Sequence, residues 1–174
     1  MFEIATTGNA VDFGNMAIDN AQGAIAASST RGVVGGYRTN TPSSNTATSN
    51  TYYFNFSSGG GVSDFGDFPV AMTERQASGN NTRGLFFGGV VSPVSQNTID
   101  YITMASTGDA TDFGDMLLPN STAGTCSSPT RGVLWGGKAP APSVTTVVQY
   151  MTIQSKGDTQ NFGELTQARS NIGA

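Results

Sequence analysis

Three Asp-Phe-Gly triplets begin at Asp12, Asp64 and Asp112, and an Asp in that setting can hold magnesium for phosphoryl transfer. That chemistry also needs a His-Arg-Asp loop and a strand Lys paired with a helix Glu. The chain has no His, and its lysines are Lys138 and Lys156 alone, so the reading fails. The run Gly108–Asp115 holds three carboxylates, Asp109, Asp112 and Asp115, the oxygen donors that calcium takes. Corresponding positions carry Asn9 and Gly61 instead of Asp109, so the ligand set would not repeat, and turn chemistry accounts for the acids better. Arg31, Arg83 and Arg131 stand in Thr-Arg-Gly triplets, each starting 18 residues after an Asp-Phe-Gly. A recurring guanidinium can bind an anion, or its planar fork can tie one repeat to a neighbouring Asp or to backbone carbonyls. The second role is favoured, with Asp12, Asp64 and Asp112 as expected partners. Without His, the commonest general base and metal ligand are missing, and the single Cys126 leaves no multi-Cys zinc site. No nucleophile–base pair is legible, so the sequence predicts no catalytic centre, no cofactor and no metal.

The elements that position these residues are repeated. The glycines Gly8, Gly60, Gly108 and Gly157 are spaced 52, 48 and 49 residues apart. Before each lies a segment rich in aromatic and β-branched residues, such as Ile99-Asp100-Tyr101, whose alternation predicts a strand. After it come a turn and a short strand centred on Phe13, Phe65, Phe113 or Phe162, with Phe packing between units and Asp and Gly turning the chain. A segment of small residues follows (21–28, 71–79, 121–128 and the terminal 168–174). The last strand runs from Arg to a double glycine: Gly35-Gly36, Gly88-Gly89 and Gly136-Gly137. Phe86, Phe87 and Trp135 in that strand are expected in the core. Four short strands at a period near 49 residues predict an all-β chain, a β-propeller of four-stranded blades. The repeat units fall at about 1–52, 53–100, 101–149 and an incomplete 150–174, in one whole or partial propeller domain.

Composition agrees. Only 11% of the 174 residues are charged and 23 are Gly, which suits short strands joined by tight turns. The net charge of −4 and the two lysines argue against nucleic acid as a partner. No apolar run reaches the roughly 20 residues of a membrane span, and residues 1–4 carry no basic segment ahead of an apolar core, so neither a membrane span nor a signal peptide is expected.

The double glycines, the following variable loop, Tyr53, Tyr101 and Tyr150, and then a turn and an aromatic strand resemble the kelch repeat over nearly the whole chain. Phe65 and Phe113 stand where kelch units usually carry Trp. The wording Ala-Ser-Thr-Gly-Asp-Ala-Thr-Asp-Phe-Gly-Asp also resembles kelch-like repeats of marine bacteriophage virion proteins. That resemblance implies a non-catalytic module of a phage virion, a tail, fibre or capsid-surface part. Its partners would be other virion or surface proteins, or a cell-surface glycan or receptor. The alternative is a propeller lectin with one sugar site per blade. Function would sit in the loops after the double glycines, with Tyr37, Arg38, Asn40, Ser92, Gln96, Lys138 and Ser143 as interaction residues. Met1 aligns with Tyr53 and Tyr101, so both chain ends cut through a blade. Three readings stay open: a fragment of a longer propeller, a homo-oligomer that completes the ring, and a small four-bladed monomer.

Overall fold

The computed structural model describes residues 7–16, 19–39, 46–139 and 143–172, and among them every regular element is a β-strand. In chain order these are β1 (Asn20–Ala21), β2 (Ala24–Ala27), β3 (Arg31–Gly35), β4 (Arg38–Thr39), β5 (Asn50–Asn55), β6 (Ser63–Asp67), β7 (Gln76–Gly79), β8 (Arg83–Phe87), β9 (Val90–Val91), β10 (Val94–Ser95), β11 (Thr98–Thr103), β12 (Thr111–Asp115), β13 (Gly124–Ser127), β14 (Arg131–Trp135), β15 (Val147–Thr152) and β16 (Gln160–Glu164). Three four-stranded antiparallel sheets result, ordered β2-β3-β5-β6, β7-β8-β11-β12 and β13-β14-β15-β16. The protein is therefore all-β, built from repeated up-and-down meanders. The short pairs β1–β4 and β9–β10 stand outside the three sheets.

Local chemistry explains each meander. The first hairpin closes on a side chain: Asn80 Oδ1 accepts from the Thr82 and Arg83 amides, both at 2.9 Å. Ser28 and Ser128 use their hydroxyl in the same way toward the amides two and three residues on. Thr-Arg-Gly is thus the exit of a side-chain-closed turn. The second strand is covered on both faces in β3 and β8, whereas in β14 Val133 and Trp135 are half-buried, so Trp135 lies outside the expected core. In β8, Leu85 and Phe87 enter one apolar cluster and Phe86 the other, the period-2 division of a pleated strand.

The fourth strand carries a bulge in every sheet. Ile99 faces Gly114 and Asp100 faces Asp112, leaving Phe113 as the extra residue. Phe65 and Phe162 are skipped in the same way. Phe65 and Phe113 pack between units, as the sequence predicts. Asp and Gly do not make a turn there; they flank the bulge within the strand. Asp12 Oδ1 accepts from the Gly14 amide at 3.1 Å, as Asn161 Oδ1 accepts from Gly163 N at 3.0 Å within β16.

The sheets stack face to face. Ala24, Ala26, Val33, Phe65 and Phe68 of the first meet Phe86, Ile102, Met104 and Ala110 of the second. Leu85, Phe87, Ile99, Phe113 and Met116 of the second meet Leu134, Met151 and Ile153 of the third. The small-residue strand β7 lies between β2 and β13, so the first strands of the sheets run side by side. Two terminal expectations differ. Residues 7–16 form no strand, and the expected strand at residues 2–4 lies outside the described residues. Residues 168–172 are likewise strandless; 173 and 174 lie outside the described residues.

Candidate functional site

The repeated residues converge on the seams between units. At each seam the Phe carbonyl of one unit accepts from the Gly amide of the next: Gly60 to Phe13 (2.7 Å), Gly108 to Phe65 (2.7 Å) and Gly157 to Phe113 (2.9 Å). A second bond runs two residues further on, from Ala110 N to Asp67 O and from Thr159 N to Asp115 O, both 2.9 Å. A third comes from the acidic turn: Asp67 N donates to Asp109 Oδ1 (3.0 Å) and Asp115 N to Asp158 Oδ1 (2.9 Å). Of the three carboxylates that suggest calcium, Asp109 is thus spent on a backbone amide, and Asp112 and Asp115 are exposed. Among the described residues, no three His, Cys, Asp or Glu side chains are grouped to hold a metal ion. The glycine of Asp-Phe-Gly is required by this approach. Gly114 has φ +149°, and a Cβ there would stand 2.5 Å from Gly157 O.

The repeated arginines complete the seams. Arg31, Arg83 and Arg131 lie over Tyr53, Tyr101 and Tyr150 at 4.3, 4.9 and 4.6 Å. Each Tyr meets the bulged Phe edge-on, at 6.0, 6.0 and 5.9 Å between centroids. Arg31 Nη1 donates to Met104 O (3.0 Å) and Arg83 Nη1 to Ile153 O (2.9 Å), each in the next unit. The fork therefore ties units through backbone carbonyls, and the expected partners Asp64 and Asp112 stay exposed on their strands. A main-chain carbonyl offers a fixed acceptor without the cost of desolvating a carboxylate.

Among the described residues, clefts lie at both ends of the sheets, and another of about 380 Å³ is lined by Arg131, Tyr150, Lys156 and Asp158 among others. The hairpin end forms a cleft of about 440 Å³ lined by Asn80, Asn81, Thr82, Ser127, Ser128 and Gln154 among others. Its hairpins are cross-linked: Ser29 N donates to Asn81 Oδ1 (2.9 Å) and Asn80 Nδ2 to Pro129 O (2.6 Å). The opposite, loop end holds a cavity of about 200 Å³ lined by Gln22, Glu74, Arg75, Thr122 and Asn171 among others. Gln22, Glu74, Thr122 and Asn171 share a left-handed backbone, φ 63°, 58°, 57° and 54°. Glu74 is their hub, taking Gln22 Nε2 on Oε1 and Ser121 Oγ on Oε2, both at 3.2 Å. The hairpin end thus presents uncharged amides and hydroxyls, and the loop end one acid and one guanidinium among polar groups.

The interaction residues expected from sequence divide. Ser92 and Ser143 are exposed, and Arg38, Gln96 and Lys138 are half-buried. Arg38 pairs with Ala21 and bridges Ala47, Gln96 N donates to Gly89 O, and Lys138 bridges Ser121 and Val144. Asn40 lies outside the described residues. Tyr37 is a correction: it is fully buried, stacked on Tyr52 with centroids 6.3 Å apart. Burial is the main cause that pushes its phenol up to about 12. Sequence reading misses Arg75 and Asp100. Arg75 is 1% exposed, its Nη1 lies 2.7 Å from Asp100 Oδ2, its Nη2 donates to Phe86 O and its guanidinium lies over Phe68. The pair occurs in one unit only, so the repeat gives no signal for it. No family model matches the chain, and no curated protein matches it.

Proposed function

We propose that the chain is a non-catalytic interaction module, a β-propeller of kelch-like blades in a phage virion or surface assembly, displaying its loops to a protein or host receptor. The observation that carries this reading is the seam. Four of the repeated polar residues are engaged in joining units, Asp109 and Asp158 on amides and Arg31 and Arg83 on carbonyls, while Asp64, Asp112 and Arg131 are exposed. Three four-stranded meanders, stacked with their first strands side by side, support the radial blade arrangement. The resemblance of the Asp-Phe-Gly and Thr-Arg-Gly wording to phage virion repeats supports the placement in a particle. Residues 90–96 present the display surface, with Val91 39% and Val94 58% exposed at the tip.

The test is an antibody against residues 90–96, applied to intact virions that carry the chain. Labelling of intact particles and inhibition of their attachment are expected. Labelling confined to disrupted particles overturns the reading. The amide- and hydroxyl-lined hairpin cleft favours a second reading, a carbohydrate-binding module. Saturable sugar binding, lost on Asn81→Ala, would establish it.

A further inference from the structure

Both halves of a seam are left open on the same molecule. On the edge side, Phe65 and Phe113 are each 2% exposed, whereas Phe162 in β16 is 58% exposed. A Cβ on Gly163 meets nothing within 4 Å, although the same atom on Gly114 would strike the next unit. On the turn side, Ala110 is 7% and Thr159 3% exposed, whereas the corresponding Ala10 is exposed. The turn Gly8-Asn9-Ala10 matches Gly108-Asp109-Ala110 and Gly157-Asp158-Thr159 in spacing to the bulged Phe, and Asn9 keeps the side-chain oxygen that Asp109 and Asp158 use.

We propose that the β16 edge of one molecule docks the Gly8–Ala10 turn of a second copy, a head-to-tail seam. This rests on the propeller reading and names its self-partner. The internal seams supply the template. Gly8 N donates to Phe162 O, Ala10 N to Glu164 O, and Glu164 N to Asn9 Oδ1. Phe162 and Ala10 are buried together, as Phe65 and Ala110 are in the first core layer. The occupant is a second copy because its turn and this edge are the two complementary halves of the seam that repeats inside the molecule. A heterologous contact of this kind propagates to a closed ring or a filament.

The test uses two variants in a Cys126→Ser background, because Cys126 is exposed and would react. One carries Asn9→Cys, the other Glu164→Cys. They are mixed and treated with a short bis-maleimide. A cross-linked pair at twice the 17.9 kDa mass is expected from the mixture and not from either variant alone. Adding Phe162→Asp to the second chain lowers the yield about tenfold or more, as loss of a central anchor does. Phe162 is exposed in the single molecule, so that change spares folding, checked by circular dichroism. Two results overturn the proposal: light scattering at 17.9 kDa at every concentration, or a chain bearing both cysteines that cross-links only within itself. Either result leaves the surface-module reading to its own antibody test.

Discussion

Gly114→Ala measures the seam against a control built into the molecule. Gly114 and Gly163 share a backbone conformation, φ +149° and +148°, so an alanine pays the same strain at both, about 1–3 kcal/mol. Only at Gly114 does the new Cβ meet a neighbour, 2.5 Å from Gly157 O and 2.6 Å from its carbonyl carbon. Both atoms are backbone, so relief requires the units to separate. Separation weakens three hydrogen bonds of 2.9 Å: Gly157 N to Phe113 O, Thr159 N to Asp115 O and Asp115 N to Asp158 Oδ1. At a net ~1 kcal/mol each, Gly114→Ala costs about 2–3 kcal/mol more than Gly163→Ala. For a chain of this size that gap lowers the melting temperature by roughly 5–10 °C. The assay is thermal and urea unfolding of both variants, dilute enough that self-association adds nothing to the Gly163 site. Equal destabilisation by the two substitutions would refute the seam as the reason for glycine.

Arg31→Ala removes a guanidinium that reaches Met104 O across the seam, whereas Arg131 is exposed and has no such carbonyl among the described residues. Arg31→Ala is therefore expected to cost about 1–2 kcal/mol more in urea unfolding. Asp100→Asn leaves the buried Arg75 guanidinium without a counter-charge and costs about 3–5 kcal/mol, while Arg75→Met with Asp100→Leu restores most of it. Tyr37 keeps its proton in the folded state to about pH 12, against 10 when unfolded. Stability is thus whole below pH 10 and falls as pH rises from 10 to 12, by about 2–3 kcal/mol. Ultraviolet titration should show a late phenol that Tyr37→Phe abolishes.

The strands were legible because their signals repeat. Arg-to-double-glycine segments, Tyr-bearing segments and bulged Phe residues all recur at one spacing, and the structure places β8, β11 and β12 on them. The chemistry of the repeated Asp and Gly was less legible. A bulge and a turn use the same residue types, and only the neighbour's backbone, absent from any local window, distinguishes them. Tyr37 follows a double glycine in a variable loop, a setting that reads as surface. It is buried because Tyr52, 15 residues on, offers it a ring to stack on. Glu74, Thr122 and Asn171 occupy one backbone position with three different side chains, so their shared left-handed conformation left no trace in composition.

One layer of the third strands varies from unit to unit where the seams do not. Tyr52, Asp100 and Gln149 are equivalent positions of the third strands, each one residue before the repeated Tyr. Tyr52 stacks on Tyr37, Asp100 binds Arg75, and Gln149 accepts from Thr159 Oγ1 (2.6 Å) and Leu117 N (2.9 Å). Each solution fixes a different piece of the loop end. Arg75 lies under two loops at once, since a Cβ on either Gly36 or Gly89 would stand 2.8 Å from its side chain. Seams keep the units alike, while this layer holds each unit's loops in their own way. Such a surface offers one composite site rather than several equivalent ones. Under the proposed interaction-module reading, the partner is a macromolecule that reads several different loops together, and a sugar pocket repeated in every unit is not expected at this end.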